Sequence, residues 1–141
     1  MKIADSVELL GECSRARVRE LLAGASFLAQ PGGREAFGLA LLEARAAGVP
    51  VVAMAAGGVP ELVEHRRHGL LARSRTEFHE AVAAMTQDET FRRRCAEEAS
   101  RGLERYDWSR VVRMHEAVYM RAADRRYTSG RHVKNNIAAT I

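Results

Sequence analysis

The chain has 141 residues, 47% of them hydrophobic, and a formal net charge of +4. That length suits one compact domain with its own core, and no apolar run approaches the length of a membrane span or of a secretory leader's apolar stretch. Two cysteines without a CxxC pair and five histidines without HExxH spacing predict reduced thiols, no metal and a cytoplasmic protein.

The first predicted element is a short strand at 7–10, "VELL", ended by Gly11. "SRARVRELLAG" follows as a helix: Ser14 caps it, Val18, Leu21 and Leu22 form its apolar stripe, and Gly24 stops it. "SFLAQ" at 26–30 reads as a second strand, closed by "PGG" at 31–33. A helix from about Phe37 to Ala47 is apolar nearly all round, which predicts burial. "VPVVAMA" at 49–55 is a β-branched run of the kind covered on both faces of a parallel sheet.

"AGG" at 56–58 predicts a turn, "VPELVEH" a short helix and "HGLLAR" at 68–73 another strand. "SRTE" at 74–77 has the form of a capping box, and Asp88 caps the next helix, where Phe91, Cys95, Ala99 and Leu103 recur every four residues. "DWS" at 107–109 opens the last helix, with Val111, His115, Val118 and Ala122 as its inner face. Strands alternating with helices predict a parallel, doubly wound α/β sheet. The domain is expected to run over 1–127. Residues 128–141, polar and without periodicity, are expected to be a frayed or expression-derived tail.

The positive charge is nearly all arginine, much of it in "RRR" at 92–94 and on the last helix. Acidic residues interrupt it and no aromatic residues interleave with it, so a solvated helical surface is preferred to a nucleic-acid site. Contact with an anionic membrane surface, peripheral at the inner face, is a second option.

Two glutamates in "GREAFGLALLEARAAGVPVVA" need an explanation. On a helix, Glu43 has only Leu39, Ala40, Ala46 and Ala47 as neighbours one turn away, none able to pair with a carboxylate, and Arg45 points elsewhere. Buried there, Glu43 needs a partner from outside the helix: an arginine of another element, or a ligand offering a vicinal diol such as a ribose. Glu35 lies in the loop after a strand's C-terminal end, where open parallel sheets bind ligands. The N–H groups of Phe37, Gly38 and Leu39 would form the first turn of the next helix and favour a phosphate, with Glu35 beside it. Glu35 is otherwise a carboxylate placed favourably on a helix dipole.

With these residues the stretch resembles the donor-binding domain of the retaining GT-B glycosyltransferases, the large group 1 family, whose Glu-x7-Glu motif is matched by Glu35 and Glu43. "VELLG" with "LLAGASFLAQP", "GGVPELVEHRRHGLLA" and "YDWSRVVRMHEAVY" extend the likeness in order over roughly 7–122. The resemblance implies a Rossmann-like parallel sheet with flanking helices, forming an incomplete C-terminal half of a GT-B fold. It implies transfer of a sugar from a UDP- or GDP-sugar, with retention of configuration and without metal or other cofactor, to an unknown acceptor. Glu43 would bind ribose hydroxyls, and the amides of Phe37, Gly38 and Leu39 the diphosphate and sugar. Glu35 would hold hydroxyls of the transferred sugar and serve as the catalytic residue. Gly57 and Gly58 would shape the adjacent loop, and the base would lie near Leu10–Glu12.

Two departures qualify it. Pro31-Gly32 stands where the family usually has Pro-Ser. The N-terminal acceptor domain and the first two donor-domain strands, with their diphosphate-clamping Arg and Lys, have no counterpart; Arg34 does not occupy that position. Activity of the chain alone is therefore not expected. Direct pairing of 7–10 with 26–29, or a homodimer or partner subunit, is expected at the open sheet edge. The alternative readings are a non-catalytic oligomerisation or nucleotide-binding module derived from the same domain, and a generic nucleotide-binding Rossmann-like protein, disfavoured because no GxGxxG follows the first strand and no Walker sequence appears.

Overall fold

The computed structural model describes residues 6–33 and 36–137, with side chains through residue 124. The chain forms two compact units, Met1–Arg101 and Gly102–Ile141. In the first unit, α1 (Arg15–Gly24) precedes β1 (Leu28–Gln30), α2 (Leu39–Ala46), β2 (Val51–Met54), α3 (Val59–Leu62), β3 (Gly69–Ala72), α4 (Arg75–Gln87) and α5 (Glu89–Ala99). The second unit holds a short 3-10 helix, Leu103–Tyr106, and the long helix α6, Trp108–Ile137, which extends past residue 127.

The three strands form a parallel sheet in the order β1-β2-β3, with Leu28 opposite Val51 and Val51 opposite Gly69. The order is sequential, so the reversal that defines a doubly wound sheet does not fall within the described strands. Val52, Leu70 and Ala72 point to one face, where they pack with Phe78 and Met85 of α4. Val51 and Ala53, alternating with Val52, are buried on the other face, so β2 is covered on both sides. Helix α2, in the crossover from β1 to β2, is in contact with β2 and α5.

Local signals carry the helix boundaries. Ser14 accepts from the Arg17 N–H at 3.2 Å and Ser74 from the Glu77 N–H at 3.1 Å. Glu77 reaches back to the Arg73 N–H at 2.8 Å, which completes a reciprocal cap one residue earlier than the usual box. Asp88 accepts from the Phe91 N–H at 2.8 Å and Asp107 from the Ser109 N–H at 2.8 Å. Hydrogen bonds from the Ser109 hydroxyl and N–H hold the Asp107 carboxyl below its usual range.

Two expected elements differ. Residues 7–10 form no strand: Val7, Leu9 and Leu10 are exposed, and Gly11 turns through positive φ. Pairing of 7–10 with 26–29 is thereby overturned, since strand propensity without a covering face does not order so short a run. On α6, Val118 and Ala122 are exposed and Val111 half-buried, so the expected inner face is not a buried one. The arginines at 92–94 find partners within the chain. Arg92 donates to the Met85 carbonyl at 2.8 Å, Arg93 pairs with Glu89 at 2.5 Å, and Arg94 lies 5.1 Å from the Phe91 ring centroid.

The centre of the first unit holds a cation. Arg45 is 1% exposed and its guanidinium donates to the carbonyls of Ala99 at 2.9 Å, Leu62, and Arg101 at 2.6 Å. Those acceptors lie at the ends of α5 and α3, where helix carbonyls lack intrahelical donors and carry the negative end of the dipole. His68, 6% exposed, sits 3.2 Å from Arg45 through Nε2 and accepts the Glu64 N–H at Nδ1. Burial, with the adjacent guanidinium, lowers the His68 pKa to about 4.

Arg45→Ala should destabilise the chain by about 3 kcal/mol or more in urea unfolding, because it strands buried carbonyls. Gly69 has φ +150, and a Cβ there would overlap the Val51 carbonyl. Gly69→Ala should therefore cost on the order of 3 kcal/mol in the same measurement. His68 is charged more readily in the unfolded chain than in the folded one, so its contribution is complete above pH 6.5 and lost as pH falls toward 4. His68→Gln should flatten the pH dependence of unfolding between those values by up to about 1.4 kcal/mol per pH unit.

Candidate functional site

The loop after β1 runs to the start of α2 at the C-terminal edge of the sheet, the edge at which parallel sheets bind ligands. Arg34 and Glu35 lie outside the described residues. Helix α2 begins at Leu39, two residues later than the sequence suggested, so Phe37 and Gly38 belong to the turn before it. Gly38 caps the helix with φ +82, a left-handed conformation that glycine adopts without strain. Its carbonyl accepts the N–H groups of Leu41 and Leu42 at 3.0 and 3.1 Å. The N–H groups of Leu39 and Ala40, in the first turn, have no acceptor within the helix.

Gly57 and Gly58 close the loop after β2. Gly57 has φ +57, and a Cβ on Gly58 would lie 2.9 Å from the Ala36 carbonyl oxygen. The two loops are thus packed backbone to backbone, with no room for a side chain between them.

Glu43 is exposed, contrary to its expected burial, and Arg45 is the buried charge of this helix. The reason is the geometry of α2. Leu41, Ala44 and Arg45 turn inward, whereas Leu39, Glu43, Ala46 and Ala47 turn outward. Alanine and leucine occur on both sides, so composition alone does not distinguish them. Leu39 is 65% exposed, which leaves an apolar outer face beside Glu43. Glu43 stands one turn along from Leu39 on that face, about 6 Å down the axis from the helix start.

Glu43 lines a groove of about 560 Å³ between α1 and α2. Ala46 and Ala47 continue its α2 wall, and Arg15, Val18, Arg19 and Leu22 form its α1 wall. The sequence assigned Val18 and Leu22 to a core stripe but did not bring Arg15 and Arg19 to the site. Their spacing, i and i+4 on one helix face and i±3 from Val18 and Leu22, is the signal that places them there. Leu10–Glu12, the expected base position, is exposed chain rather than a strand end. Phe37, Gly38 and Leu39 do not line the groove among the described residues; helix α2 itself connects them to it.

A second cavity, of about 640 Å³, lies at the ends of β2 and β3 between Ala55, Pro60, His65, Leu71, Arg73 and Glu77. Among the described residues no group of three or more His, Cys, Asp or Glu side chains could hold a metal ion, and no helix is long and apolar enough to cross a membrane.

This geometry has close parallels in known proteins. The family model described as Glycosyl transferases group 1 matches residues 1–102. N-acetyl-alpha-D-glucosaminyl L-malate synthase of Bacillus anthracis is 32% identical over 122 residues, covering 84% of this chain and 32% of that protein. D-inositol 3-phosphate glycosyltransferase of Mycobacteroides abscessus is 45% identical over 69 residues, 49% of this chain and 16% of that protein. Among solved structures, Anabaena Alr3699/HepE in complex with UDP-glucose superposes with a TM-score of 0.62 at 29% identity, covering 78% of this chain and 30% of that one. The C-terminal domain of LpcC, a glycosyl transferase group 1 family protein of Francisella tularensis, shares the fold at 20% identity with a TM-score of 0.57, over 70% of this chain and 50% of that one. The chain thus spans about a third of the length of the curated relatives it matches. Its sheet, its Gly38-capped helix and the match over residues 1–102 make this chain a member of the group 1 glycosyltransferases.

Proposed function

We propose that this chain is the donor-binding part of a glycosyltransferase that moves a sugar from a nucleotide-diphosphate sugar to an acceptor held elsewhere in the protein or its complex. The observation that carries the reading is the placement of Glu43. It is a carboxylate with no hydrogen-bond or ion-pair partner among the described residues, in a groove one turn from an open helix start. A diphosphate at the N–H groups of Leu39 and Ala40 would put a ribose beside Glu43, whose two oxygens accept the two hydroxyl hydrogens. The UDP and UDP-glucose held by the Anabaena relative support a nucleotide-sugar donor.

In this reading the backbone around Gly38 and the positive end of α2 stabilise the charge that develops on the departing diphosphate, the largest demand of the reaction. Glu35 holds hydroxyls of the transferred sugar, and Gly58 keeps the facing loop close enough to close over the donor. Transfer proceeds with retention and without metal, as the family pattern implies. The outer edge of β1 has no neighbouring strand among the described residues, and a further strand, from elsewhere in the protein or from a second copy, would cover it.

The test is a titration of the full chain with UDP and GDP, followed by ligand-observed NMR. Glu43→Ala should weaken binding about tenfold or more, as should removing both ribose hydroxyls from the nucleotide, and the two losses should not add. Unchanged affinity in Glu43→Ala, or no binding by a folded wild-type chain, would reject the donor-site reading and leave a non-catalytic module of the same fold.

A further inference from the structure

The cavity of about 640 Å³ at the ends of β2 and β3 has no part in the donor reading. It opens at the C-terminal edge of the sheet, where parallel strands bind ligands. Ala55 beyond β2, Pro60 of α3 and Leu71 of β3 form its apolar wall, and three polar side chains converge on it: His65, Arg73 and Glu77. An apolar wall with a few convergent polar groups is the make-up of a small-molecule site.

Each polar residue is held from behind. Among the described strands β3 is an edge, and His65 Nδ1 accepts the Leu71 N–H at 3.0 Å. In the neutral ring that bond fixes the proton on Nε2, which makes this nitrogen a donor. Glu77 Oε2 accepts the Arg73 N–H at 2.8 Å, while the Ser74 hydroxyl accepts the Glu77 N–H at 3.1 Å. This reciprocal cap fixes Glu77 at the cavity and leaves its Oε1 as an acceptor. The Arg73 guanidinium makes no hydrogen bond or ion pair among the described residues, although Glu77 is only four positions away.

The cavity therefore offers donors from His65 and Arg73 and an acceptor from Glu77. A bare anion would meet the guanidinium but be repelled by the carboxylate. A neutral polyol would leave the guanidinium without an anion. We propose that this cavity binds a small hydroxylated oxyanion, a sugar phosphate or a hydroxycarboxylic acid. Its anionic group takes the donors of Arg73 and His65, and its hydroxyl donates to Glu77. The site is separate from the α1–α2 groove and does not depend on Glu43.

The experiment titrates the isotope-labelled full chain with glycerol 3-phosphate, glycerate, inorganic phosphate, acetate and glycerol, followed through amide NMR shifts. Glycerol 3-phosphate or glycerate should shift the Leu71, Arg73 and Glu77 amides, and the tighter of the two names the anionic group. That ligand should bind about tenfold or more tightly than inorganic phosphate, acetate or glycerol, the worth of one hydrogen bond to a charged group. Arg73→Ala should weaken it by a similar factor. Glu77→Gln keeps an acceptor for the Arg73 N–H and removes the charge, so the preference over inorganic phosphate should shrink. All three side chains are exposed, so the variants keep the fold, which circular dichroism checks. No shift with any probe, or shifts confined to other residues such as Arg15 and Arg19, would overturn the inference. So would equal binding of glycerol 3-phosphate, glycerate and the simple anions, an unchanged affinity in Arg73→Ala, or an undiminished preference in Glu77→Gln.

Discussion

The first unit depends on how one buried guanidinium is satisfied. Arg45 carries a full charge into the buried interior of the unit. It is compensated by main-chain carbonyls at the ends of two helices, α3 and α5, which are themselves short of donors. The bond set works in both directions: the cation loses its hydration and the carbonyls lose theirs, and each replaces the other's water. Because the acceptors come from segments 17 to 56 residues away in sequence, the same bonds fix α2 against α3 and α5. His68 completes the arrangement as a neutral ring, because burial and the adjacent guanidinium both disfavour its charged form.

That internal anchor has a consequence on the other side of the helix. With Leu41, Ala44 and Arg45 facing inward, the helical period sends Glu43 outward, toward α1. The carboxylate proposed to hold a ligand and the cation that holds the helix are two residues apart and serve opposite faces. Loss of Arg45 would therefore disturb the groove through the helix orientation, without any contact to a ligand. The glycines work in a similar way. Gly38 allows the turn that opens α2, Gly58 allows the neighbouring loop to approach the Ala36 carbonyl, and Gly69 allows β3 to lie against Val51.

These features occur together in a member of the group 1 glycosyltransferases. The donor site proposed above draws on an open helix start, a close facing loop and a polar side chain one turn along the helix. The first two are set by the backbone and the third by a side chain. The fold is shared with the LpcC domain at 20% identity, as expected where cores tolerate extensive hydrophobic substitution that keeps volume and patterning.

Much of this was legible in the sequence for local reasons. Ser14, Ser74, Asp88 and Asp107 are caps because their short acceptors reach only the N–H groups two or three residues on, a rule needing no knowledge of the fold. The strands at 28–30, 51–54 and 69–72 were marked by short, largely apolar runs set off by turn residues, β-branched in the central one. The Glu-x7-Glu spacing and the segments around it identified the family. Tertiary structure decided the rest. Residues 7–10 have strand composition but no covering face, so they form no strand and stay exposed. On α2, alanine and leucine occupy both sides, and the choice between burying Glu43 and burying Arg45 fell to the distant carbonyls of α3 and α5. Only Arg45, with several donors spread in a plane, could satisfy them all.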